Sequence, residues 1–527
     1  MNKLHGVLVS SPHLRIAVCL LVVATAWPST AMGQGEPWPF GKAGRFQRGR
    51  DLWNLGLLGA KGWDADRALP EATGGRRSSR STGAPAGDEG PTRLRIIVLF
   101  PGGPADKAGL RPGDVIVGVG KKRFKDGFLH PLAKALKKAE SGAGKGMLSL
   151  LVEREGHKKA LRIKVAVPVM GRMALKPTRD PAREEIVDAA LAWLQQRQRK
   201  DGGYEETLSG RGGAVIQACL AGLCYLANEK DPRQGPLAPA IRKAAAFVRE
   251  NVFATDRFAS ERKPGEPSWD QSNWPLAHAA IFLGELHGRT GDPDLVKTLQ
   301  RIADQLSKNQ VQSGGWAHGT GGKNALGYLE LNIVTGLALC GLGMARQAGC
   351  DVSERVILAA RRYIKESSSG GGVGYSANPG QKGQGNIGRS AAVWLGYRLL
   401  GLSRKPDTLR IKSYVERNAG NVMGGHASLM QHILLAGLAA HALGSSAVKK
   451  YWQAVESDLV LARAPDGSFQ PRPWHETLGL GSNTDVSFGE VWTTTAWTLV
   501  LSAAPGKSGR PGLPLFLHLK RTLPALR

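Results

Sequence analysis

Six short turns, five of them carrying glycine, recur through the last two-thirds of the chain, and they limit its fold more than any other feature. They read DGGY from Asp201, SWDQSNW from Ser268, SGGWAHGTGG from Ser313, GGGVGY from Gly370, NVMGGH from Asn421 and DGSF from Asp466. A very apolar helix follows each turn, the first being AVIQACLAGLCYLA and the others falling in 272–290, 326–349, 387–402, 426–443 and 488–504. More polar, amphipathic helices precede the later turns, in 236–253, 293–310, 353–367, 406–419 and 446–463. Asp180-Pro181 opens the first helix with a capping side chain and a proline in its first turn. That helix puts Ile186, Ala189, Ala190, Trp193 and Leu194 on one face. The unit repeats six times, so twelve helices are expected.

Helices that alternate between wholly apolar and one-faced belong to two layers. Segments such as LNIVTGLALCGLGMA suit an inner ring and DLVKTLQRIADQLSK an outer one. Six such pairs can close on themselves, so no end repeat exposes its core. The pattern resembles the toroids of terpene cyclases and protein prenyltransferases, whose repeats carry similar turns before their inner helices. The resemblance implies an all-alpha (α/α)6 toroid over 180–505.

The first part of the chain differs. Lys3 and Arg15 precede the short apolar run Ile16–Trp27, and Ala31-Met32-Gly33 offers a small-x-small cleavage pattern. Residues 1–33 therefore read as a cleavable secretory signal, too short to span a bilayer. Export to the periplasm or beyond follows, with no integral membrane segment in the mature chain. A linker over 34–50 and a Gly/Ser/Arg-rich, disordered insertion over 72–90 come next. Around the insertion lie strand signals at Leu94–Phe100, MLSLLVEREG and KKALRIKVAVPV, and a helix near Phe128–Glu140.

PADKAGLRPGDVIVGV resembles a PDZ domain of the bacterial protease-associated kind, over about 51–172. The expected fold is thus multidomain, a small mainly-beta PDZ domain followed by the toroid and a tail over 506–527. The whole resembles an uncharacterised family of exported bacterial proteins. The PDZ resemblance implies capture of a peptide or protein C-terminus by strand addition. NLGLLG would supply the carboxylate loop through Leu55, Gly56 and Leu57, and Leu129, Leu132 and Leu136 would line the groove.

The toroid topology gathers all six turns, and the first turn of each inner helix, at one mouth. Candidates for chemistry there are Asp270, His318, Glu330, Tyr375, Arg389 and His426, with Trp274, His278 and His432 beside them. Paired carboxylates for glycan hydrolysis would come from Asp270, Glu330, Asp485 and Glu490. A lyase would use His318 or Tyr375 as base, with Arg389 and Asn386 neutralising a uronate. GGWAHGTGG resembles a turn of the zinc-dependent lanthipeptide cyclases, but no cysteine stands near these loops to complete a zinc set. No metal and no cofactor are expected.

Cys219, Cys224, Cys340 and Cys350 read as buried small hydrophobes rather than a disulfide frame. The net charge of +28 points to anionic polymers, such as an acidic polysaccharide, as partners. Nucleic acid is not an expected partner of an exported protein. The leading expectation is an exported binding scaffold, and the alternative is a toroid enzyme acting on glycan or peptide.

Overall fold

The computed structural model describes residues 52–67, 90–171, 173, 175, 179–206, 210–254, 270–320, 330–378, 381–424, 428–472, 484–506 and 509–512. The signal, the linker, all of the 72–90 insertion but Gly90, most of the tail, and His426 lie outside the described residues.

The first unit is an antiparallel sheet with one main helix. Its elements are β1 (Trp53–Asn54), a 3-10 turn (Gly56–Leu58), β2 (Ala60–Asp64), β3 (Leu94–Leu99), α1 (Pro104–Lys107), β4 (Val115–Val119), β5 (Lys122–Arg123), α2 (Leu129–Glu140), β6 (Met147–Glu153) and β7 (Leu161–Ala166). The strands run in the order β1-β2-β3-β4-β6-β7, with β5 paired to β4. Period-two burial sets the core face: Leu94, Ile96 and Val98 in β3, and Leu148, Leu150 and Val152 in β6. Helix α2 covers that face with Leu129, Leu132, Ala133 and Leu136. The Gly-Asp turn before β4 is fixed by Asp114, which accepts from Arg111 N at 2.9 Å and from the Arg154 guanidinium at 2.7 Å. This is the PDZ fold.

The second unit is helical: α3 (Pro181–Arg197), α4 (Gly210–Asn228), α5 (Ala238–Asn251), α6 (Asn273–Thr290), α7 (Pro293–Lys308), α8 (Asn332–Gln347) and α9 (Glu354–Ser367). After the small hairpin β8 (Ser368–Ser369) and β9 (Gly372–Val373) come α10 (Ile387–Leu399), α11 (Pro406–Arg417), α12 (Leu429–Leu443), α13 (Ser445–Ala462), α14 (Thr484–Phe488) and α15 (Glu490–Leu501). Helices α4, α6, α8, α10, α12 and α15 touch in that order, and α15 returns to α4, so the inner ring closes. Helices α3, α5, α7, α9, α11 and α13 form the outer layer. The chain is an (α/α)6 toroid behind a PDZ domain.

Burial explains the layering. Along α4 only Arg211 is exposed, whereas α7 buries one stripe, Leu295, Leu299, Ile302 and Leu306 among it. On α3 the buried face differs from the expected one. Ala189 is exposed, because the helix turns Val187 and Leu191 inward with Ile186, Ala190, Trp193 and Leu194. Cys219, Cys224, Cys340 and Cys350 are free and buried, as expected. No described helix is long and apolar enough to cross a membrane.

The turns work as staples. Trp316 is fully buried and donates from Nε1 to Leu306 O at 2.7 Å, ten residues back at the end of α7. Tyr204 repeats the device, with its hydroxyl on Leu194 O at 3.2 Å. Gly314 has φ 101° and lies against the backbone of Ala359 in the next outer helix. Gly467 has φ 90° and meets Ala189 of α3, so the last repeat seals onto the first by the same contact. A side chain at either position would need a left-handed backbone and space that is already filled.

Ring closure has a second lock that the sequence pattern did not announce. Arg179 bonds Ala504 O at 2.7 Å, Ser502 O at 3.0 Å and Asn228 Oδ1 at 2.6 Å. Arg183 bonds Leu501 O at 2.7 Å. These guanidiniums satisfy the orphan carbonyls at the end of α15. Burial pulls the Arg179 and Arg183 pKa values down to about 10 and about 9, so both stay charged at neutral pH.

Candidate functional site

Two concave surfaces matter, the mouth of the toroid and the groove of the PDZ domain. The mouth holds a cavity of about 150 Å3 that takes side chains from all six inner helices or the turns before them. Its walls are mostly apolar or aromatic: Ile216, Trp274, Leu331, Ile333, Tyr375, Phe488 and Trp492. Polar groups enter from His278, His318, Arg389, Gln431 and His432. No carboxylate is among the described lining residues.

His278 and His318 are neutral and oriented. His278 Nδ1 donates to Trp274 O at 2.8 Å, which leaves its Nε2 as an acceptor. Trp274 Nε1 donates to His318 Nδ1 at 2.9 Å, so His318 carries its proton on Nε2. The two rings Trp274 and His318 are stacked, with centroids 5.8 Å apart. Burial pushes the pKa of both histidines down to about 4. The ring of His432 packs against Gly388, where a Cβ would collide with it.

Arg389, near the start of α10, is held by Val373 O at 3.3 Å and Gln384 O at 2.9 Å. Its guanidinium lies 5.5 Å from the Tyr375 ring centroid. Desolvation lowers its pKa to about 10, so it remains a cation.

The other candidates have different neighbours. Asp270 is a clasp: its carboxylate accepts from Ser272 N at 2.8 Å and from Thr320 N and Oγ1 at 2.7 Å each, tying one mouth turn to the next. Glu330 is buried behind Gly315 rather than in the cavity wall. Asp485 caps α12, accepting from Met430 N at 3.0 Å, Trp492 Nε1 at 2.8 Å and the Ser428 hydroxyl. Its burial raises its pKa. Asn386 caps α10 through Gly388 N and Arg389 N. The proposed carboxylate set thus contributes nothing to the described lining, while Tyr375, His318 and Arg389 do line one cavity. Gln431, Phe488 and Trp492 were missed by the sequence reading. Gln431 stands one place before His432 in the same first helical turn, a signal that was legible; α14, which carries Phe488, was not.

The PDZ groove is already filled. The candidate groove residues Leu55, Gly56, Leu57, Leu129, Leu132 and Leu136 are all buried, and Val460 and Leu461 of α13 belong to the same apolar core. Val460 O lies 2.7 Å from where a Gly56 Cβ would sit, with Leu136 Cδ1 at 3.2 Å. Asn54 Nδ2 donates to Leu461 O at 2.5 Å and Arg463 O at 2.9 Å. The C-terminal end of a helix carries partial negative charge on its free carbonyls. The end of α13 therefore lies against the loop that the PDZ resemblance assigns to a carboxylate, with its carbonyls met by the Asn54 side chain.

Polar contacts surround this plug. Arg463 pairs with Glu140, both nearly sealed from solvent, and Lys137 pairs with Glu456. His130 Nδ1 lies 2.7 Å from Ser457 Oγ, and Lys61 Nζ donates to Gln470 Oε1 at 2.8 Å. Desolvation lowers the Lys61 pKa against the opposing pull of Glu490 and Asp466. The Arg472 guanidinium lies 5.0 Å from the Trp53 ring centroid. Among the described residues no cluster of His, Cys, Asp and Glu could hold a metal ion.

Comparison with known proteins finds distant structural similarities. The type II terpene cyclase MstE from Scytonema (apo) shares 13% identity and a TM-score of 0.37, over 61% of this chain and 99% of the cyclase. The GH76A alpha-1,6-mannanase from Salegentibacter shares 10% identity and a TM-score of 0.38, over 61% and 98%. A possible GH105 member from Klebsiella pneumoniae shares 13% identity and a TM-score of 0.38, over 61% and 92%. No match was found among curated proteins. A PDZ domain matches residues 99–142. The family described as "Domain of unknown function (DUF6288)" matches residues 184–505, more than half of the chain, and the chain belongs to it.

Proposed function

We propose that this is an exported binding protein with one occupied and one open site. The PDZ domain is a protein-interaction module, and its first partner is the toroid of its own chain. The toroid offers the mouth cavity to a ligand from outside. What carries the reading is the plug: Val460 and Leu461 fill the groove between the 3-10 turn and α2, while the mouth is a cavity lined by polar as well as aromatic side chains. A free peptide or protein C-terminus enters the groove only when α13 leaves it.

Immobilised peptides with free C-termini test this on the full chain. The unaltered protein should be retained weakly, and a Val460→Asp, Leu461→Asp variant at least tenfold better. Hydrogen exchange should rise at the C-terminal end of α13 in the same variant while β4, β6 and β7 stay protected, which separates release of the plug from loss of the PDZ fold. Equal retention of both proteins on the peptides would end the proposal.

A catalytic reading of the mouth has one favourable observation. Tyr375 and Arg389 share the cavity with a neutral His278 whose Nε2 can accept a proton. That set suits a lyase acting on an acidic glycan better than a hydrolase, because the described lining holds no carboxylate pair. Incubation with uronate polymers, read by the absorbance of the unsaturated product, decides it.

A further inference from the structure

We propose that the mouth cavity binds the carboxylate end of a small apolar organic acid, with Arg389 and Gln431 holding the carboxylate. The proposal rests on the reading of the mouth as a ligand cavity and adds the chemistry of what enters it.

Charge comes first. Arg389 is nearly buried, and among the described residues no carboxylate pairs with it. Two backbone carbonyls and the Tyr375 ring compensate part of its lost hydration and leave its full charge in place. Burying a cation without a counter-ion is expensive, and a bound anion removes that cost. His278 and His318 are neutral, whereas Arg389 brings a full positive charge to the wall.

Gln431 gives an independent sign. It is 5% exposed and lines the same cavity, and its Nε2 has no hydrogen-bond acceptor among the described residues. A sealed amide without a partner costs about 1–3 kcal/mol. A half-turn of the amide exchanges nitrogen and oxygen, so the N–H group can be turned onto a ligand oxygen. Arg389 has no counter-ion and Gln431 Nε2 no acceptor among the described residues, and the two oxygens of a carboxylate can answer both.

The rest of the wall selects the body of the ligand. Trp274, Ile333, Phe488 and Trp492 offer apolar surface rather than the dense hydrogen bonding that a free sugar needs. The volume, about 150 Å3, matches that of engineered apolar cavities of about 150 Å3 that take benzene. The group that enters is therefore about one ring in size, with an acid attached.

Calorimetric titration of the full chain with benzoate, benzamide and benzyl alcohol tests the proposal. Benzoate should bind at least tenfold tighter than either neutral probe, and its affinity should fall as sodium chloride rises from about 50 to 500 mM. Arg389→Met should weaken benzoate tenfold or more and leave benzamide within twofold, and Arg389→Lys should recover part of the loss. Arg389 also holds its loop, so Gln431→Met is the second variant, expected to weaken benzoate about threefold. Equal binding of all three probes would overturn the carboxylate assignment and leave the open mouth standing. No binding by any probe would overturn both.

Discussion

The PDZ groove and the toroid mouth are built from similar parts and have opposite fates. Each is a concavity where glycine-rich backbone meets an apolar helix face. The groove is packed from within the chain, Val460 and Leu461 of α13 filling it and Asn54 holding the carbonyls of Leu461 and Arg463. Among the described residues the mouth keeps a buried cation without a carboxylate beside it and an amide nitrogen, Gln431 Nε2, without an acceptor. A binding motif shows what a surface can hold; only the packing shows whether it is vacant.

The sharpest way to break the comparison is to empty the groove. Val460→Asp with Leu461→Asp buries two unpaired carboxylates in the PDZ core, at an expected loss of about 4 kcal/mol or more. Calorimetry should then resolve two unfolding transitions where the unaltered chain shows one. A single transition at a lower temperature would mean that the two units share more than this plug. Next in size is the Arg463–Glu140 pair. Arg463→Met alone should cost about 3–5 kcal/mol because it strands a buried carboxylate, and adding Glu140→Leu should restore most of that. A double-mutant cycle by urea unfolding measures the recovery.

Acid sharpens the mouth side of the comparison. His278 titrates near 4 in the folded chain and near 6.5 when unfolded. The unfolded chain therefore binds the extra proton between those values, so stability is lost as pH falls from about 6.5 to about 4 and no further below. The loss approaches about 3 kcal/mol for this group. His278→Gln should flatten the slope of stability against pH in that window. An unchanged slope would show that other groups dominate.

The repeats, the layers and the PDZ strands were legible in the sequence because they rest on local periodicity. Asp180 as a cap and Leu129–Glu140 as a helix follow from neighbours in the chain. The mouth was legible as topology and only partly as residues. Asp270 and Asp485 look like catalytic acids in a list of mouth residues, yet each spends its lone pairs on backbone amides and side chains of neighbouring loops and helices. Arg179 and Arg183 sit at the start of the helical unit with no local signal and are ring locks, since carbonyls that they bond lie more than 300 residues away. The plug at Val460 and Leu461 was illegible for the same reason. Nothing near those residues marks them as ligands, and the groove they fill begins some 400 residues earlier.

The smallest effect tests whether the turns are staples or site. Trp316 lies in the turn that also carries His318, and its ring is fully buried with Nε1 on Leu306 O. Trp316→Phe keeps most of the apolar area and strands that carbonyl, so about 1–2 kcal/mol should be lost. Benzoate affinity should stay within twofold, since Trp316 does not line the cavity and the Trp274–His318 contact is made by other atoms. A tenfold loss of affinity with little change in stability would move Trp316 from scaffold to site. The mouth would then be shaped by its staples, and the division between filled and open concavities would lie inside the toroid itself.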